Sequence, residues 1–184
     1  MAKVKQVIQE TEAVFGYVKG TVKWAKVLEV GQFGKYTVDV YGEAVEALVE
    51  QMEELRGEAA KEVGDAGKKY QEVDVFKENE ETGQKFIQFK LPEEGYDGKQ
   101  NQVKIFDVSG KEVTDSWDAL IGNGSTVKVK YMAKPYYMAS TKNVGISYKF
   151  YAVQVIKLEE YTAGESGFGD ETDGDAPFDT EGEF

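Results

Sequence analysis

The chain has 184 residues, 41% of them hydrophobic and 20 of them glycine, and a formal net charge of −12 with neither cysteine nor histidine. That length holds one domain with a real core and leaves a segment over, and the glycine content favours a turn-rich, β-dominated fold. Disulfides, Cys/His zinc sites, thiol nucleophiles and imidazole acids or bases are excluded.

The first six residues, Met1-Ala2-Lys3-Val4-Lys5-Gln6, lack the apolar core of a signal peptide. The longest charge-free stretch, Ala119–Val127, has nine residues, far below the ~20 that cross a bilayer. No membrane association is expected, and the absence of cysteine fits a reducing cytosol. The chain therefore reads as a soluble intracellular protein.

Residues 13–41 alternate as strands do. Val14, Gly16 and Val18 oppose Phe15, Tyr17 and Lys19, and Tyr36, Val38 and Val40 oppose Lys35, Thr37 and Asp39, with a turn at Gly31 and Gly34. A helix is predicted over 43–63, because Val45, Leu48, Val49, Met52 and Leu55 recur at spacings of three and four. Its glutamates read as a solvated face, a recruitment surface being the alternative, and Gly64, Asp65 and Gly67 end it. Residues 65–84 suggest a loop or weak hairpin. Strands are expected at Gln84–Leu91 and Gln102–Val108, then a tight turn at Asp107–Lys111, and Asn123-Gly124 signals a hairpin.

Two long strands follow. In Thr126–Lys134, Val127, Val129, Tyr131 and Ala133 suit a core, while Lys128, Lys130, Met132 and Lys134 face the other way. Successive outward positions lie ~7 Å apart, a scale similar to the phosphate repeat of a single strand. In Asn143–Leu158, Val144, Ile146, Tyr148, Phe150, Ala152, Ile156 and Leu158 are expected inward, and Lys149, Tyr151 and Lys157 outward. Pro135–Lys142, with Tyr136 and Tyr137, reads as the loop between them. Strand–helix–strands of this size are compatible with a small closed Greek-key barrel such as an OB-fold, and equally with a sandwich or an open roll.

Charge is segregated. Ala119–Leu158 holds six lysines and six aromatics without one acid, whereas 162–184 holds eight acids, no base and a terminal Phe184. Cations with flat side chains are what binding of single-stranded nucleic acid requires. The candidate contacts are Lys128, Lys130, Lys134, Lys142 and Lys149 for phosphates and Tyr136, Tyr137 and Tyr151 for bases. Arg56 is the only arginine, and base readout leans on bidentate arginine, so sequence-tolerant binding is expected. The acidic segment is expected to be disordered and to compete with nucleic acid for the basic surface, with Asp179, Glu181, Glu183 and Phe184 as partner contacts.

No cofactor or metal is expected. No Gly-Lys pair precedes Ser or Thr as in a Walker loop, and Asp170–Asp175 lacks the spacing of a calcium loop. The protein is not expected to be an enzyme, although a carboxylate-dependent nuclease stays open. The alternative of another kind is a protein–protein interaction module working through the acidic helix and tail.

Asp107-Val-Ser-Gly-Lys-Glu, Leu120-Ile-Gly-Asn-Gly-Ser-Thr-Val-Lys-Val-Lys-Tyr131, Pro135-Tyr136, Gly145 and the closing Glu-Gly-Glu-Phe184 together resemble the single-stranded DNA-binding protein of T-seven-type podoviruses. Lys35-Tyr-Thr-Val-Asp-Val40 before a helix and Met1-Ala-Lys3 resemble it too. The resemblance implies a mainly β fold, a five-stranded OB barrel with an inserted helix over 1–161, followed by the acidic tail 162–184. It also implies non-specific single-stranded DNA binding in phage replication, recombination and repair, in the cytoplasm of an infected bacterium. The tail would occupy the groove without DNA and contact replisome proteins (DNA polymerase, helicase-primase) when displaced. A homodimer is left open. By position Lys3 would be a phosphate contact, Tyr136 a stacking residue and Phe184 the partner anchor. Met138 stands where the family has a second aromatic, and Phe33 where it has a basic residue.

Overall fold

The computed structural model describes residues 13–65 and 70–160. Its elements are β1 (Val14–Lys26), β2 (Lys35–Tyr41), α1 (Glu43–Asp65), β3 (Gln71–Glu72), β4 (Lys77–Glu78), β5 (Lys85–Pro92), β6 (Lys104–Phe106), β7 (Thr126–Met138) and β8 (Asn143–Lys157). Antiparallel pairs β1–β2, β2–β5, β7–β8 and β1–β7, together with a parallel β5–β8 contact, return the path to its start. The result is a mainly β, five-stranded OB-type barrel with a helix inserted between its second and third strands. The short strands β3, β4 and β6 are peripheral, and β3 and β6 both run parallel to β8.

Closure sorts side chains into two sets. Val18, Val22, Val38, Val40, Ile87, Phe89, Val127, Val129, Tyr131, Phe150 and Val153 point inward and are buried. The helix caps this core as its spacing predicts: Val45, Leu48, Val49 and Met52 join the barrel cluster, while Ala59, Ala60 and Val63 pack on Val144, Tyr70 and Tyr137. Glu43 and Glu46 occupy its first turn, where the helix dipole favours negative charge. Arg56 bonds to Glu72 Oε1 at 3.2 Å and to the Val73 carbonyl at 2.7 Å. The single guanidinium is thus spent on fastening the chain after the helix.

Three expectations need correction. Tyr136 and Tyr137 are strand residues rather than loop residues, since β7 runs to Met138 and leaves only 139–142 as the turn. Pro135 is tolerated because pairing with β1 stops at Ala133 among the described residues, so β7 is there an edge on that side. Next, Asn123-Gly124 closes no hairpin. Gly124 adopts φ +95° in a turn between the Ile121–Glu160 bridge and β7. Last, the alternation of β8 reverses midway. Lys130 pairs with Ala152 but Tyr131 with Phe150, leaving Tyr151 unpaired. This bulge sends Val153 and Val155 inward and turns Ala152 and Ile156 the other way. The tail 162–184 and the ends of the expected domains lie outside the described residues.

Gly20 marks the tightest crossing: a Cβ there would strike the Tyr41 carbonyl oxygen and crowd Val40. Gly20→Ala is expected to lower stability by about 1–3 kcal/mol or more, read as a shift of the denaturant midpoint. An unchanged midpoint would mean β1 and β2 do not cross here.

Candidate nucleic-acid interface

Antiparallel pairing of β1, β2 and β5 lines up their outward residues in rows: Lys23, Asp39 and Gln88 in one, Lys26, Thr37 and Lys90 in the next. Above these rows lie two depressions of about 900 and 310 Å³ that share Lys77, Gln88 and Lys90. Together they form one groove from the β1–β2 loop, across β2 and β5, to Tyr136 on β7. The groove carries Lys26, Lys35, Lys77 and Lys90, with Trp24 and Phe33 at one end and Phe76 and Tyr136 at the other. Among the described residues Asp74 is the one acid on its wall. Among the described residues none of the four lysines forms an ion pair.

The aromatic end is built by backbone irregularity. The β1–β2 register shifts between Lys23 and Lys26. There Trp24 adopts φ +54°, a conformation uncommon outside glycine, and its N–H donates to Asn123 Oδ1 at 2.8 Å. The ring is left 66% exposed and Phe33 81% exposed, available for stacking rather than spent on packing. At the other end Tyr136 lies over Gly145, its cross-strand partner, where a Cβ would stand 2.7 Å from the Tyr136 hydroxyl.

The electrostatics of the floor are strained in favour of an anion. Burial, then Lys77 and Lys35, hold the Lys90 ammonium below its ordinary value. Beneath it Asp39 is 7% exposed and accepts a 2.9 Å hydrogen bond from Gln88 Nε2. Lys77 Nζ in turn donates to Gln88 Oε1 at 3.0 Å. Burial pushes the Asp39 carboxyl up, against the Gln88 bond and the attraction of Lys77 and Lys90.

The residues expected from sequence divide between two places. Tyr136 lies in the groove, and Lys134 sits just beyond it, paired with Ser147 of the groove wall. Lys149 is the cross-strand partner of Lys90, its ammonium 5.9 Å from the exposed Tyr96 ring. Lys128, Lys130 and Tyr151 instead line a separate cleft of about 500 Å³ against β6. Tyr137 packs half-buried on the helix cluster and Lys142 lies in the β7–β8 turn, both outside the groove. Tyr131 and Phe150 are core residues, as expected. Tyr148 packs against the core, its hydroxyl donating to the Val75 carbonyl at 2.7 Å, and burial raises its pKa. Lys3, Asp179, Glu181, Glu183 and Phe184 lie outside the described residues. Trp24, Lys26, Phe33, Lys35, Lys77 and Lys90 escaped the sequence reading. Their signal was present in the outward half of the early alternation, with large aromatics and lysines opposite valines and glycines, but it was spread over strands distant in sequence.

No group of three or more acids among the described residues is placed to hold a metal, and no helix among them is long and apolar enough to cross a membrane.

Because folded Asp39 holds its proton more tightly than an unfolded aspartate, it favours folding below its ordinary value near 3.8, and this contribution is lost as pH rises through the raised value. Asp39→Asn keeps an acceptor for Gln88. Its stability relative to wild type is expected to climb across that window and then level off, measured by denaturation at a series of pH values. A difference constant with pH would contradict the buried, ionising carboxyl.

No family model matches the sequence, and no curated protein matches it significantly. Among solved structures it is similar to gp2.5, a single-stranded DNA binding protein encoded by bacteriophage T7, with TM-score 0.69 and 21% identity over 93% of this chain and 98% of that one. It is also similar to the single-stranded DNA-binding protein from bacteriophage Enc34, with TM-score 0.51 and 13% identity over 86% and 89%. At these identities the likeness is one of fold, and it agrees with the barrel topology above.

Proposed function

We propose that the protein binds single-stranded DNA without sequence preference, in the groove across β2 and β5, and catalyses nothing. The observation that carries this reading is four lysines on one floor that form no ion pair among the described residues, flanked by exposed Trp24 and Phe33. Phosphates would neutralise Lys26, Lys35, Lys77 and Lys90 and relieve their mutual repulsion. Bases would stack on Trp24, Phe33 and Tyr136, each stack contributing ~1–3 kcal/mol. The face formed by the second and third strands is where OB barrels hold oligonucleotides, and both similar structures are described as phage single-stranded DNA-binding proteins. With Arg56 committed to Glu72 and Val73, no guanidinium is available to read bases.

This reading extends to a phage protein of replication, recombination and repair in the host cytoplasm. The segment 162–184, with eight acids and no base, competes for the groove, and because it belongs to the same chain the competition is intramolecular. Once displaced by DNA, its Phe184 end recruits replication proteins such as the DNA polymerase and the helicase-primase. A second reading, an interaction module, draws on the exposed Glu46, Glu50, Glu54 and Glu58 of α1. Only the first ties the groove to DNA.

Anisotropy titrations of labelled oligo-dT across a salt series separate the two. Trp24→Ala is expected to weaken binding by about 1–3 kcal/mol, roughly 5- to 150-fold. Lys77→Ala and Lys90→Ala should each reduce the log–log salt slope by about 0.7, and deleting 162–184 should tighten binding. If wild type and truncation both fail to bind at low salt, the groove reading falls and the interaction module replaces it.

A further inference from the structure

The cleft against β6 remains unused by the groove. Its floor comes from the other outward half of the sheet: Tyr17 pairs with Lys130, which pairs with Ala152, which pairs with Lys104 of β6. The β8 bulge places Tyr151 at this floor, and Lys128 reaches over the Tyr17 ring at 5.4 Å. The far wall is fixed, because Gln154 Nε2 donates to the carbonyls of Asp107 and Val108 at 3.2 and 3.3 Å. Among the described residues no Asp or Glu lines the cleft, though Glu112 pairs with Lys104 at its edge. Tyr17 is 63% exposed, and the Lys104 side chain is 66% exposed, held only by a long, exposed ion pair to Glu112 at 3.9 Å.

Strand β7 joins this cleft to the groove. Its outward row reads Lys128, Lys130, Met132, Lys134, Tyr136, with Lys128 and Lys130 in the cleft and Tyr136 in the groove. Six residues of strand separate Lys130 from Tyr136, a rise of about 20 Å that a few nucleotides of single strand cover. Exposed Phe15 and half-buried Lys149 flank Met132 on this path, and β7 and β8 contain no acid.

We propose that the cleft is a second polynucleotide subsite, taking one further nucleotide step of a strand that already lies in the groove and continues across β7. The inference rests on the groove reading. A phosphodiester would meet Lys104, Lys128 and Lys130, and a base would lie on Tyr17 or Tyr151. The site then adds affinity only for strands long enough to reach it, and it adds no sequence preference.

The test compares the full chain with a Tyr17→Ala/Lys104→Ala variant, in which both replaced side chains are exposed and circular dichroism verifies folding. Each is titrated with oligo-dT of about 8 nucleotides, within the ~4–16 that one such barrel holds, and with a strand of about 25. The expected result is short-strand affinity unchanged within about twofold, long-strand affinity reduced at least about fivefold, and a long-strand salt slope lower by about 0.7. Equal loss on both lengths overturns the proposal by making the cleft part of the primary site. No loss on either overturns it outright. Tighter long-strand binding overturns it in favour of the acidic segment as occupant. Failure of wild type to bind either strand removes the groove reading first, and this one with it.

Discussion

The barrel closes through a single parallel contact, the pairing of Lys90 on β5 with Lys149 on β8. Everything else about the surface depends on that closure. A five-stranded sheet that returns to itself has no free choice of face: alternate residues fill the interior, and the remainder form one continuous outer wall. The seam also sets Lys90 beside the β8 wall, where Lys149 is its cross-strand partner. The repulsion of the Lys90 ammonium by Lys77 and Lys35 is a standing cost that the fold tolerates and that a polyanion would offset.

Local irregularities convert this regular wall into a site. The shift at the end of β1 holds Trp24 in a left-handed conformation with its ring in solvent, and strain of this kind concentrates where a side chain must be aimed. The bulge at Tyr151 does the equivalent for β8, turning a residue that strict alternation would leave paired toward the cleft. Gly145 gives Tyr136 room to lie flat across its neighbour. At Trp24 and Tyr151 a register shift adjoins the ring, whereas Tyr136 reaches the groove by regular alternation along β7. Arg56 fastens the segment after the helix and lies outside the groove.

Much of the fold was legible in the residues. The helix shows in the spacing of Val45, Leu48, Val49 and Met52, and the long last strands in the alternation of valines with lysines. The segregated charge of 119–158 pointed to a polyanion surface, but only Tyr136 of its candidates lies in the groove itself. The reason is topological. Lys128 and Tyr136 share a strand, whereas Lys26, Lys35, Lys77 and Lys90 come from four segments that only the register of β1, β2, β4 and β5 brings onto one floor. The bulge at Tyr151, invisible to period counting, reversed the second half of β8, and a second register shift falls at Ile156, which is why Ile156 looked internal and Val155 did not.

The central claim, that single strands stack in the groove beside Trp24, has a direct optical test. The chain has two tryptophans; Trp117 is half-buried, its indole N–H bonded to the Ala119 carbonyl at 2.8 Å. In a Trp117→Phe protein the emission therefore reports on Trp24 alone. Titration with oligo-dT is expected to quench that emission in parallel with the rise in anisotropy of a labelled strand. Binding seen by anisotropy with Trp24 emission unchanged would place the DNA elsewhere on the barrel and contradict the account.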